Sequence, residues 1–128
     1  MADKKWLVKE LAAYIEDNLR EEADLSLDCV EERFGYSKFY LNRLFSEQMG
    51  CTIHQYVMER RLTEAARELV DTDKAIVEIA CGAGYQSQQA FTQAFRQRYG
   101  CSPLAYREKR LFHPLREGGK MCGWRCAA

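Results

Sequence analysis

Leu7, Leu11, Ile15 and Leu19 recur every four residues, with Trp6 and Tyr14 beside them and polar residues between. That period predicts one amphipathic helix over residues 4–20. Ser26 is placed to cap a short second helix that ends at Phe34, where Gly35 supplies the stop. Ser37 caps a third helix, 38–49, expected to bury Leu41, Leu44, Phe45 and Met49 and to end at Gly50. Thr52 and Gln55 fit a capping box that opens a long helix to about Val70, and Asp71-Thr72-Asp73 breaks it. A fifth helix runs from about Lys74 to Ala83. A sixth, 88–99 behind Ser87, is expected to bury Phe91, Ala94, Phe95 and Tyr99. Ser102-Pro103 opens a seventh, with proline at the first helical position, where its missing N–H costs nothing. Strand alternation is absent. The expected fold is all-α, with seven helices.

The second half replays the first. At an offset of 50, Ser37, Phe45, Gly50, Cys51, Tyr56 and Arg60 match Ser87, Phe95, Gly100, Cys101, Tyr106 and Arg110, and Thr52 matches Ser102. Gly35-Tyr36 matches Gly84-Tyr85 at an offset of 49, so the second turn is one residue longer. Ile79 and Ala80 stand five and four residues before Gly84, and a small residue there lets two helices cross closely, as in a helix-turn-helix. The first copy keeps Leu27, Val30 and Gly35 but has Glu31 where the alanine would sit. The expected division is a first helix-turn-helix over 1–50, a linker helix over 51–70, a second helix-turn-helix over 71–112 and a C-terminal tail over 113–128. A linker of that length spans ~25 Å at 1.5 Å per residue. With its flanking units it is expected to set two reading helices about one duplex turn apart, ~34 Å, in successive major grooves.

The faces left outside by this packing are unusual. The third helix presents Lys38, Phe39, Asn42, Arg43 and Ser46, and the sixth presents Gln88, Gln89, Thr92, Gln93 and Arg96. A solvated face ordinarily carries Glu and Lys. Asn and Gln instead suit the adenine edge and Arg the guanine edge, each good pairing giving roughly 1–3 kcal/mol of discrimination. Phe39, aromatic at the start of a helix and facing outward, suits a thymine methyl.

Composition changes the picture mainly through charge. The 128 residues hold 19 Lys+Arg and 19 Asp+Glu, a formal net charge of zero. Residues 1–32 carry four basic and ten acidic side chains, 33–84 seven of each, and 85–128 eight basic and two acidic. The zero is therefore −6, 0 and +6 along the chain, and it does not exclude nucleic acid, because binding depends on where charge sits. The acidic N-terminal region is expected to lie away from DNA. No apolar run is long enough for a membrane span, and no secretory signal opens the chain, so a cytoplasmic protein is expected. Six cysteines without a Cys-x-x-Cys pattern fit a reducing compartment, with Cys29, Cys51 and Cys81 expected as small core residues. Cys122 and Cys126 with His113 make a poor zinc set, so neither metal nor cofactor is expected.

The run Ile76-x-x-Ile79-Ala80-x-x-x-Gly84-Tyr85-x-Ser87-Gln88-Gln89-x-Phe91-x-x-x-Phe95-Arg96-x-x-Tyr99-Gly100-x-Ser102-Pro103-x-x-Tyr106-Arg107 resembles the signature of the AraC/XylS family of bacterial transcription regulators. Gly35-Tyr36-Ser37-Lys38-x-Tyr40-Leu41-x-Arg43-x-Phe45 and Tyr56-x-x-x-Arg60-Arg61-Leu62-x-x-Ala65 look like its first half. The likeness extends over about residues 5–112 and is greatest to the short single-domain members, whose ends resemble Phe112-His113-Pro114-Leu115. It implies monomeric binding to double-stranded promoter DNA and activation through contact with RNA polymerase. It implies base contacts from Phe39, Asn42, Arg43, Gln88, Gln89, Thr92 and Gln93. Ser37, Lys38, Ser87 and Arg96 are expected at the DNA backbone. The chain departs from the pattern at Phe39, usually Trp, at Asn42, usually Gln, and at Gln93, usually Arg; Ala90 replaces a hydroxyl-bearing residue. No small-molecule effector domain is evident in this length.

Two rival classes make different predictions. A module that binds polymerase or another regulator without reading DNA leaves Asn42, Gln88 and Gln89 without a purpose. A thiol or metal sensor would depend on Cys122 and Cys126. Catalysis finds no constellation, since His54 and His113 lie far apart and no acid pair or nucleophile stands out. The chain is not expected to be an enzyme.

Overall fold

A computed structural model describes residues 4–19 and 25–115. Those residues form α1 (Lys5–Asp17), α2 (Leu27–Phe34), α3 (Lys38–Met49), α4 (Ile53–Asp71), α5 (Ile76–Gly82), α6 (Gln88–Tyr99) and α7 (Pro103–Lys109). No strand occurs among the described residues. The fold is all-α, and the chain divides inside α4 into two compact units, the first reaching Met58 and the second covering Glu59–Leu115.

In the first unit the stripe Leu7, Leu11, Ile15 and Leu19 is buried in one cluster with Val30, Leu41, Phe45, Ile53 and Tyr56. The Phe45 and Tyr56 rings meet edge to face at 5.3 Å. α1 stops three residues short of its predicted end. Asn18 Nδ2 donates to the Tyr14 carbonyl at 2.8 Å, a side-chain bond that competes with further helix. Trp6 is 57% exposed, and Leu44 is only half-buried. The capping box at α4 is present, with the Thr52 N–H donating to Gln55 Oε1 at 3.0 Å and the Gln55 N–H to Thr52 Oγ1 at 3.1 Å.

In the second unit, buried Leu62, Ala66, Leu69, Ile79, Ala80, Phe91, Phe95 and Tyr106 form the interior. Phe95 is its aromatic hub, stacked on Tyr99 at 4.6 Å and meeting Tyr106 edge to face at 5.4 Å. Ala94 and Tyr99, expected inside, are half-buried. Glu59, 1% exposed, is held by Arg98 Nη1 at 3.0 Å. Arg107 donates to the carbonyls of Leu69, Thr72 and Lys74, closing the loop that follows α4. α5 begins at Ile76 instead of Lys74, because the Glu78 carboxylate accepts from the Ala75 N–H at 3.2 Å and makes Ala75 the cap.

The cysteines divide. Cys51 is buried and Cys29 half-buried, but Cys81 is exposed, because it sits on the outer side of the short α5 opposite Ile79 and Ala80. The segment expected to open a tail at 113 is tied down at its start. Tyr99 Oη donates to the His113 carbonyl at 3.0 Å, and the His113 N–H donates to Tyr106 Oη at 2.9 Å. The Leu115 N–H donates to Thr63 Oγ1 at 3.1 Å. Cys122 and Cys126 lie outside the described residues.

Candidate nucleic-acid interface

Each unit carries one helix with a polar outward face, and both are started the same way. Ser37 Oγ accepts from the Tyr40 N–H, and Ser87 Oγ accepts from the Ala90 N–H, both at 3.1 Å. Each serine supplies an orphan amide of the first turn with a partner, and both helices end at a glycine with positive φ, Gly50 and Gly100. The local sequence thus builds two similar helices, α3 and α6, of twelve residues each.

On α3, Phe39 is 78% exposed, and Arg43 is exposed one turn further on. Lys38 is half-buried, and its Nζ is tied to Asp28 Oδ1 at 2.7 Å. The hydrogen bond and charge of Asp28 raise the lysine above its ordinary pKa. The Lys38 N–H donates to Glu31 Oε2 at 3.2 Å. This accounts for the glutamate in place of alanine in the first copy: its carboxylate reaches across the turn and caps α3, where the helix dipole favours negative charge. In the second copy Ala80 is 1% exposed and the same turn is closed by backbone, the Tyr85 N–H donating to the Ala80 carbonyl at 3.1 Å.

Asn42 does not stand wholly on the outward face. It is half-buried, and its Oδ1 accepts from the Ile53 N–H at 2.9 Å, at the first residue of α4. On α6, Gln88, Gln89, Gln93 and Arg96 are exposed and Thr92 is half-buried. Among the described residues no hydrogen bond ties the side chains of Gln88, Gln89, Thr92 or Gln93, so this face meets solvent with its donors and acceptors available. A shallow groove beside it is lined by Ala90, Gln93, Ala94, Arg96 and Gln97.

The structure therefore gathers Ser37, Lys38, Phe39, Asn42 and Arg43 on one helix of the first unit. It gathers Ser87, Gln88, Gln89, Thr92, Gln93 and Arg96 on one helix of the second. Sequence reasoning missed Asp28 and Glu31, which set the charge and position of α3. A carboxylate at the helix-crossing position of one copy only was the available signal. Among the described residues no group of three or more His, Cys, Asp and Glu is placed to hold a metal ion. No helix of the described residues is long and apolar enough to cross a membrane.

A family model described as a helix-turn-helix domain matches residues 30–109. Multiple antibiotic resistance protein MarA of Escherichia coli strain K12 is 38% identical over 114 residues, covering 84% of this chain and 88% of MarA. A solved Chromobacterium violaceum regulator, described as having an AraC-type DNA-binding domain, superposes with a TM-score of 0.73 at 31% identity, covering 80% of this chain and 90% of its own. The DNA-binding domain of the global transcriptional factor AdpA, solved in complex with a target DNA, gives a TM-score of 0.72 at 28% identity, covering 80% and 90%.

Proposed function

The chain belongs to the AraC-type helix-turn-helix family of DNA-binding transcription regulators, and we propose that it reads one asymmetric promoter site as a single chain and activates transcription there. The observation that carries the reading is the pair of serine-capped helices α3 and α6, one per unit, α3 presenting Phe39, Asn42 and Arg43 and α6 presenting Gln88, Gln89, Thr92, Gln93 and Arg96. Two copies in tandem have no two-fold axis, so one chain suits two unlike half-sites in successive major grooves. Phe39, Asn42 and Arg43 face bases in one groove; Gln88, Gln89, Thr92 and Gln93 do so in the next. Arg96 and the capping turns at Ser37-Lys38 and Ser87 meet phosphate. RNA polymerase is the second partner, met through the acidic α1–α2 region, whose carboxylates repel DNA. The compartment of action is the bacterial cytoplasm, where the chromosome lies.

The test is selection of bound fragments from the source genome, followed by titration of an enriched duplex at several salt concentrations. A reader of DNA enriches a shared sequence and loses affinity linearly in log salt, as phosphate-bound Lys and Arg release counterions. Enrichment of nothing above background, with no salt-dependent binding to any promoter pool, overturns the proposal in favour of a protein-interaction module.

A further inference from the structure

The α3 side chain best suited to adenine is already using half of its amide. Bidentate recognition of adenine needs an acceptor for N6–H and a donor for N7, which an asparagine supplies with Oδ1 and Nδ2 together. Here Asn42 Oδ1 accepts from the Ile53 N–H at 2.9 Å, satisfying an amide of the first turn of α4 that has no partner within the helix. The side chain is half-buried, as a residue engaged inward must be.

The second copy supplies an internal control. The residues fifty positions on are Thr92 for Asn42 and Pro103 for Ile53. Proline has no N–H, so the second copy has no amide at that point to satisfy, and no asparagine stands opposite it. Asparagine and amide donor occur together in one copy and are both missing from the other.

We infer that Asn42 is a positioning residue that locks α3 to the N-terminus of α4 and meets DNA through Nδ2 alone, so that it selects guanine over adenine. Guanine presents two acceptors in the major groove, O6 and N7, both open to an N–H donor. Adenine presents one acceptor beside a donor, and the half-buried Asn42 oxygen that would have to take that donor is held against the Ile53 N–H, leaving Nδ2 as the group free to turn to the groove. The inference rests on the proposed reading of DNA by α3, and its test separates the two.

Wild-type protein, Asn42→Asp and Asn42→Ala are compared by thermal unfolding and by selection from a randomised duplex pool. Asparagine to aspartate keeps the acceptor for Ile53 and removes the donor. Its midpoint is expected to stay within a degree or two of wild type, while the guanine preference at one base pair is lost. Asparagine to alanine removes both functions; its midpoint is expected to fall by roughly 4–8 °C, and the same preference disappears. The wild-type preference for guanine over adenine at that pair is expected to be on the order of tenfold. Adenine enriched there by wild type, no base pair whose preference depends on Asn42, or an unchanged midpoint in Asn42→Ala each overturns the inference. A wild-type protein that enriches no sequence overturns the DNA-reading proposal itself, an outcome distinguishable because the midpoint comparison uses no DNA.

Discussion

Gly84 holds φ at +88°, and a Cβ there would stand 3.1 Å from Arg61 Nη1, whereas a Cβ on Gly82 would meet nothing within 4 Å. Alanine at the two positions is therefore expected to act in opposite directions. Gly84→Ala should lower stability by about 1–2 kcal/mol through left-handed strain. Gly82→Ala should raise it by about 0.5–1 kcal/mol, since Gly82 is the last helical residue of α5. Urea unfolding of the two variants decides, and equal shifts would refute the argument. Arg107 is a second residue whose importance is geometric. Its planar fork serves three carbonyls, and a lysine cannot span them. Arg107→Lys should cost about 2 kcal/mol in the same measurement. For recognition, Arg43→Ala should cost ~1–3 kcal/mol and relax preference at one base pair. A uniform loss across unrelated duplexes would make Arg43 a phosphate contact instead.

At the scale of elements, α3 and α6 begin on equivalent serines but differ in how the preceding helix holds them. α2 sends two carboxylates to α3: Glu31 to the Lys38 amide and Asp28 to the Lys38 ammonium. α5 meets α6 through a turn closed by backbone bonds and a buried Ala80. On the proposed reading the Asp28 tether withholds a cation from DNA, so Asp28→Asn should raise affinity for all duplexes about equally. It should also steepen the salt dependence by about one counterion, read from titrations at several salt concentrations. An unchanged slope would show that Lys38 meets no phosphate. The helices themselves were legible because their signals are local: Ser26, Ser37, Ser87 and Ser102 all cap as the spacing predicts. Their partners across turns were not, because nothing in a 3.6-residue period ties position 31 to an amide at 38.

For the molecule as a whole, zero net charge hides an acidic beginning and a basic end, and stability depends on pH through a few shifted groups. Partial burial raises the Glu64 carboxyl, but the Arg60 and Arg67 guanidiniums outweigh it and hold the group below the ordinary carboxylate value. A group depressed in the fold stabilises it above its unfolded pKa, near 4.3, and loses that contribution as pH falls through the folded value. Glu64→Gln should therefore lower the thermal midpoint by a constant amount above about pH 6, and its difference from wild type should shrink as pH falls below about 4. At the other end, burial raises the Tyr99 and Tyr106 phenols. Their contribution is complete below about pH 10 and is lost as pH climbs beyond it. By itself the sequence determined the seven helices, their serine caps, the duplication and the two polar faces, because periodicity, capping and repeats are read within a few residues or by an offset. Tertiary structure alone decided which of those polar atoms remain available. The bonds that hold Lys38, Asn42 and Arg107 join residues seven to thirty-eight positions apart, where folding, and no local pattern, brings donor to acceptor.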